Sequence, residues 1–221
     1  MSKGLSQGGL YGITDSTLLP DTRLLEAVEA ALRGGMRLLQ YRDKSANATL
    51  RLKQAQALLS LCRDYHCQLL INDDVSLCQR IGADGVHLGQ QDTKLTEARS
   101  LLGQQAIIGI TCHASLELAQ QALADGADYL AFGAFFPSST KPLASPAPLS
   151  ILQQAQPLGL PLVAIGGITL ERAPTVLQAG AQWLAVVGDL FSAPSAALIQ
   201  ARAQAYQHLF SAAPAAPSVL P

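Results

Sequence analysis

Eight times along this chain a short apolar run gives way to a polar turn and then to a longer stretch with helical spacing. The runs are Leu10–Thr14, Arg37–Arg42, Gln68–Asn72, Gly85–Gly89, Ala106–Thr111, Tyr129–Gly133, Leu162–Gly166 and Trp183–Val187. Strands that are nearly continuous in apolar residues and separated by helices pair in parallel, because only a crossover of helical length can return the chain to the same end of a sheet. Eight such units within 221 residues fit a closed α/β barrel, the (β/α)8 or TIM barrel, better than an open doubly wound sheet. The expected organisation is a single barrel domain over residues 1–210. It is followed by an Ala/Pro-rich tail, 211–221, too poor in sequence complexity to be expected to order.

The helical stretches carry their own signals. Over Thr22–Arg33, residues Leu24, Leu25, Val28, Ala31 and Leu32 are expected on one face and Glu26, Glu29 and Arg33 on the other. Asp21 is the expected N-cap, and Gly34-Gly35 the stop. Leu50–Tyr65 repeats the pattern with Leu52, Ala55, Leu58, Leu59 and Cys62. Two later units, Ser115–Asp125 and Leu170–Ala179, each end at a glycine.

Charge and cysteine usage exclude several classes. Fifteen basic against sixteen acidic residues leave a formal charge of −1, with no general grip on nucleic acid or an anionic membrane. Any bound phosphate must be held by local groups. The first ten residues carry one lysine and no apolar core, which does not resemble a secretory signal. No apolar run approaches the length of a membrane span. A soluble cytoplasmic protein is expected, and a homo-oligomer is compatible with the sequence. Cys62, Cys67, Cys78 and Cys112 lack paired metal-ligand spacing and read as reduced thiols.

In a parallel barrel the working groups lie just past the C-terminal ends of the strands, and the unusual polarity of this chain falls there. Strand two ends in Gln40-Tyr41-Arg42-Asp43-Lys44, strand three in Asn72-Asp73-Asp74, strand four in Gly89-Gln90-Gln91-Asp92 and strand five in Gly109-Ile110-Thr111. Strand six runs into Phe136-Pro137-Ser138-Ser139-Thr140-Lys141, strand seven into Gly166-Gly167 and strand eight into Gly188-Asp189. The opposite ends follow plain turns such as Gly82-Ala83-Asp84 and Gly126-Ala127-Asp128.

Arg42, Lys44 and Lys141 can clamp a polyphosphate. Asp73 and Asp92 offer hard oxygens, and one or two carboxylates plus substrate phosphate oxygens commonly hold Mg2+. The glycines after strands seven and eight leave backbone N–H groups open to a second phosphate. Each feature has a plainer role in isolation: Asn72-Asp73-Asp74 as a helix cap, Arg42 and Lys44 as surface ion pairs, Gly166-Gly167 as turn geometry. His87, inside strand four, reads as a hydrogen-bonded core or rim residue rather than a catalytic base. His66 and His208 read as helix-surface residues.

In order, Tyr11-Gly12-Ile13-Thr14-Asp15, Gln40 to Lys44, Ile71 to Asp74, Gly85 to Gln90, Gly109 to His113, Gly133 to Lys141 and Ala164 to Ile168 resemble the thiamine-phosphate synthase family. The resemblance spans residues 11 to about 191. It implies a barrel transferase that condenses 4-amino-2-methyl-5-(diphosphomethyl)pyrimidine with 4-methyl-5-(2-phosphoethyl)thiazole, releasing diphosphate with the help of Mg2+. It also implies roles. Gln40 would touch the pyrimidine, Arg42, Lys44, Asn72 and Lys141 would hold the diphosphate, and Asp73 and Asp92 would hold the metal. Ser138 and Thr140, with backbone from Gly167, Val187 and Gly188, would hold the thiazole phosphate. Arg42, Lys44, Lys141 and Thr111 would be the catalytic set.

Three positions depart from the family pattern: Thr111 and Gly188 where serine is common, and Ser138 where threonine is usual. At residue 188 the change costs a side-chain donor, and the glycine could reflect either close approach or positive φ. A relative that isomerises the thiazole phosphate would need neither the clamp nor two carboxylates. A phosphate-ligand sensor and another phosphate-binding barrel of metabolism are the remaining alternatives.

Overall fold

The computed structural model describes residues 5, 8–137 and 146–212. Eight parallel strands close into a barrel in sequence order, each paired with the next and the eighth with the first. They are β1 (Gly9–Ile13), β2 (Leu38–Tyr41), β3 (Gln68–Asn72), β4 (Gly85–Leu88), β5 (Ile107–His113), β6 (Tyr129–Phe132), β7 (Leu162–Ile165) and β8 (Trp183–Val186). Between and after them lie α1 (Asp21–Arg33), α2 (Ala48–Asp64), α3 (Val75–Ile81), α4 (Leu95–Leu102), α5 (Leu116–Ala124), α6 (Ser150–Ala155), α7 (Ala173–Gln178), α8 (Gly188–Phe191) and α9 (Ala196–Ala212). The expected strands are all present, β3 with the bounds expected and the others displaced by one or two residues at one or both ends. The expected tail falls, from residue 213, outside the described residues.

Strand alternation divides the core in two. Leu10, Leu39, Leu69, Ile71, Val86, Ile108, Leu130, Ala164 and Leu184 face outward and pack beneath the helices. Tyr11, Ile13, Leu38, Leu70, Ile107, Tyr129, Ala131, Val163, Trp183 and Ala185 fill the barrel interior. Because the side-chain period of a strand is two, the inward set continues to Gln40, Asn72, His87 and Thr111 near the C-terminal mouth.

Three details correct the sequence reading. Asp21 is the first residue of α1 rather than its cap; Pro20 occupies the cap position without a side-chain bond, and Asp21 accepts a hydrogen bond from Gln54 at 3.0 Å. Leu25 points outward at 43% exposure, while Ala27 and Ala30 take the buried stripe with Leu24, Val28, Ala31 and Leu32. His66 lies beyond the end of α2 at φ +53°, so it is not on a helix surface.

The plain turns at the N-terminal mouth are a recurring clamp. Asp84 accepts the Leu69 N–H at 2.9 Å, Asp128 the Ile108 N–H at 2.7 Å, and Gln182 the Leu162 N–H at 3.0 Å. Each follows a Gly-Ala pair, so three equivalent turns tie an even-numbered strand to its odd-numbered predecessor. Asp128 also meets Arg99 at 2.6 Å. These contacts hold the mouth opposite the polar rim and leave the rim free of that task.

Candidate functional site

The run Asn72-Asp73-Asp74 splits into three roles. Asp74 caps α3 by accepting the Leu77 N–H at 2.8 Å and pairs with Arg51 at 2.5 Å. Asp73 sits in the left-handed region at φ +61°, a conformation uncommon for a non-glycine residue but tolerated best by Asn and Asp. There its Oδ2 receives Lys44 Nζ at 2.5 Å and Asn72 Nδ2 at 2.6 Å.

Asp92 folds back from the loop after β4, accepting the Gly89 N–H at 2.7 Å. Any Cβ at residue 89 would lie 2.9 Å from that carboxylate oxygen. The two carboxyls influence each other's ionisation. Burial works to raise both, but the Lys44 ammonium and the bond with Asp92 hold Asp73 below the ordinary carboxylate range. Burial and the adjacent Asp73 push Asp92 above it. A cation between them would favour the charged form of both.

Arg42 stands at the next strand end. Its backbone N–H donates to Thr14 Oγ1 at 2.8 Å, Thr14 donates back to the Arg42 carbonyl at 3.1 Å, and its guanidinium lies 3.8 Å from Asp15. The strands β1 and β2 are therefore latched just below the rim, with the guanidinium partly exposed.

On the other side of the mouth, Gly166 and Gly167 both have positive φ, +98° and +62°. A Cβ at Gly167 would come within 2.6–2.7 Å of the carbonyl oxygens of Pro137 and Phe136, so glycine is required by the close approach of the segment after β6. Arg172 donates to the Gly167 carbonyl at 2.9 Å and stacks 5.1 Å over the Phe136 ring. Val187 precedes the short α8, and Gly188 is its first residue. Gly188 is helical rather than left-handed, and a Cβ there meets nothing within 4 Å. Ser138, Thr140 and Lys141 lie outside the described residues.

Inside the mouth, the side chains of Gln40 and Thr111 are joined through residues not assigned to the site from sequence. Gln40 Nε2 donates to Tyr11 Oη at 2.5 Å; Tyr11 Oη lies 2.9 Å from Tyr129 Oη; Tyr129 Oη lies 2.7 Å from His87 Nδ1; and His87 Nε2 lies 2.9 Å from Thr111 Oγ1. Burial pushes the His87 imidazole down to about 4, only partly countered by the Asp73 charge, so it is neutral at physiological pH. His87 is thus the hydrogen-bonded interior residue anticipated. The ring of Tyr129 fits because residue 109 is glycine: a Cβ there would fall 1.8 Å from its Cζ. The signal that could have found Tyr11 and Tyr129 is parity, since each lies an even number of residues from an interior position.

Among the described residues no three His, Cys, Asp or Glu side chains cluster as a metal cage. The donor set that does converge, two carboxylates and no nitrogen or sulfur, suits a hard cation completed by ligand oxygens. A separate cleft of about 300 Å3, lined by Arg23, Glu26, Pro194 and Ile199 among others, lies between α1 and α9 and shares no residue with this rim.

The sequence model of the family described as "Thiamine monophosphate synthase" matches residues 10–190. A thiamine-phosphate synthase of Marinobacter nauticus is 56% identical over 203 residues, covering 92% of this chain and 91% of its own. One of Saccharophagus degradans is 57% identical over 185 residues, covering 83% and 85%. Among solved structures, a thiamine phosphate pyrophosphorylase of Pyrococcus furiosus superposes with a TM-score of 0.79 at 30% identity, covering 92% of this chain and 95% of that one.

Proposed function

Because the chain belongs to the thiamine monophosphate synthase family, we propose that it is the transferase that joins the aminopyrimidine diphosphate to the thiazole phosphate, giving thiamine phosphate and diphosphate. The observation that carries this reading is the convergence of Lys44, Asn72, Asp73 and Asp92 at one rim, beside Arg42 and above Gln40 and Thr111.

The electron-rich aminopyrimidine can stabilise a methylene cation, so the bond from the methylene carbon to the diphosphate oxygen breaks ahead of attack on that carbon by the thiazole nitrogen. That nitrogen already has a free lone pair, so the reaction needs no general base. A neutral, buried His87 agrees with this. The demand is for stabilisation of charge growing on the leaving diphosphate, which preorganised cations and amides meet most effectively. Arg42, Lys44 and Asn72 would meet it, and by family resemblance Lys141 would join them. Asp73 and Asp92 would hold Mg2+, which when bound supplies Lewis-acid stabilisation to the diphosphate oxygens. Lys44, now on Asp73, would turn to the diphosphate once a cation satisfies that carboxylate.

Gly167, Val187 and Gly188, with Ser138 and Thr140, would fix the thiazole phosphate and so align the nucleophile, a contribution of proximity. Gln40 and Thr111 would hold the pyrimidine. No helix among the described residues is long and apolar enough to cross a membrane. All four cysteines are free and buried, which suits work in the reducing cytoplasm.

The test is incubation of the purified protein with both substrates and Mg2+, following thiamine phosphate and diphosphate together. Stoichiometric formation of both, abolished by a chelator and restored by Mg2+, is expected. Conversion of the thiazole phosphate alone, or binding without turnover, would overturn the reading.

A further inference from the structure

The interior chain Gln40–Tyr11–Tyr129–His87–Thr111 draws one residue from each of β2, β1, β6, β4 and β5, and four of the five are at most 8% exposed. Its hydrogens can be followed. A buried hydroxyl has one hydrogen to donate, and leaving it unused is costly. Tyr11 Oη accepts from the Gln40 amide nitrogen, so its own hydrogen goes to Tyr129. Tyr129 then donates to His87 Nδ1. An imidazole that accepts at Nδ1 carries its hydrogen on Nε2 and donates to Thr111 Oγ1. The chain therefore runs in one direction; left over are the Gln40 carbonyl oxygen, an acceptor, with the second Gln40 amide hydrogen at one end, and the Thr111 hydroxyl hydrogen, a donor, at the other.

We propose that Tyr129, acting with Tyr11 and His87, is a positioning residue that fixes the polarity of this chain, so that the barrel floor meets a ring carrying an exocyclic amino donor at Gln40 and a ring-nitrogen acceptor at Thr111. An amide is nearly symmetric in shape, so nothing but its hydrogen-bond partner decides which end of Gln40 faces a ligand. A pyrimidine with an oxo group in place of the amino group would set acceptor against acceptor at the Gln40 carbonyl oxygen, lose that bond and bind more weakly. The inference rests on the reading of Gln40 and Thr111 as the pyrimidine site and adds how that site tells amino from oxo.

Tyr129→Phe tests it. The ring stays in the space left by Gly109, edge-on to Tyr11 at 6.1 Å and stacked on His87 at 5.6 Å, so packing is retained. The hydroxyl that takes the Tyr11 hydrogen is lost. Tyr11 can then donate to Gln40, and the amide is free to turn.

Two measurements apply. Nitrogen-15 NMR of the unmodified protein should find the His87 hydrogen on Nε2; finding it on Nδ1 reverses the chain and overturns the inference without any substrate present. The preference for the 4-amino over the 4-oxo pyrimidine diphosphate, taken as a ratio of kcat/KM, should fall by about tenfold or more in Tyr129→Phe, with the KM for thiazole phosphate unmoved. Tyr11→Phe should do the same. An unchanged preference in folded variants would reduce the chain to core structure and overturn the inference. Failure of the unmodified protein to couple the two substrates would instead overturn the functional reading.

Discussion

The charge state of His87 gives a prediction with a definite sign. Its imidazole is buried between Tyr129 and Thr111, and burial lowers it from 6.5 to about 4. The folded pKa lies below the unfolded one, so as pH falls through 6.5 the unfolded chain binds a proton that the folded chain refuses. Stability is lost across the window from about 6.5 down to about 4 and no further below it. The full gap corresponds to roughly 3 kcal/mol, of which about 2 kcal/mol is already lost at pH 5. Urea unfolding at pH 7.5 and pH 5, in the presence of a chelator, should be compared with that of His87→Gln, whose amide can still reach both hydroxyls but does not titrate in this range. Carboxylates elsewhere contribute to both proteins alike and cancel in the difference. The stability gap between the two proteins should therefore shift by about 2 kcal/mol in favour of the variant on acidification. Parallel pH dependences, or a folded-state His87 titrating near 6.5 by NMR, would refute the burial reasoning.

Three further outcomes follow from other parts of the structure. Asp92→Asn should leave the melting temperature nearly unchanged, because it removes a carboxyl pressed against Asp73, while raising the Mg2+ concentration needed for half-maximal turnover; wild-type behaviour at limiting Mg2+ would remove it from the metal site. Gly188→Ser should fold normally, since residue 188 is helical and faces open space. A new charge-assisted bond, worth roughly 1.5–3 kcal/mol at best, should lower the thiazole-phosphate KM by up to about tenfold, and an unchanged KM would place residue 188 away from the phosphate. Asp128→Ala strands the buried Ile108 N–H and removes the ion pair with Arg99, so urea unfolding should show a loss of about 2–3 kcal/mol. The KM values should be unaltered, the residue being at the opposite mouth.

The barrel was legible because parallel pairing forces a period of strand and helix that no shorter-range rule imitates, and the rim because polarity at a strand end has few other causes. What escaped the sequence required knowing partners far apart in the chain. Nothing local marks Asp84, Asp128 and Gln182 as acceptors for the preceding strand's backbone, since the N–H each receives lies 15–20 residues away. Asp21 looks like a cap, but Gln54 in the next helix claims its carboxylate. Leu25 has the spacing of a core residue, yet the α1 stripe is set by its packing on α9 and α2, and two alanines fill it instead.

The interior chain escaped for a different reason. Tyrosine in a strand is ordinary, and histidine in one reads as packing; only the closure of eight strands brings Tyr11 and Tyr129, 118 residues apart, to hydroxyl contact. A barrel of this size could fill that layer with apolar side chains, and a satisfied polar network is on average no more stabilising than such a core. Stability alone therefore gives little reason for five polar side chains from five strands to meet there. Both terminal residues of the file, Gln40 and Thr111, lie toward the strand ends that carry Lys44 and Asp92 at the same mouth. A network that ends on Gln40 and Thr111, with hydrogen-bonding groups to spare at both ends, is better explained by what it orients than by what it holds together.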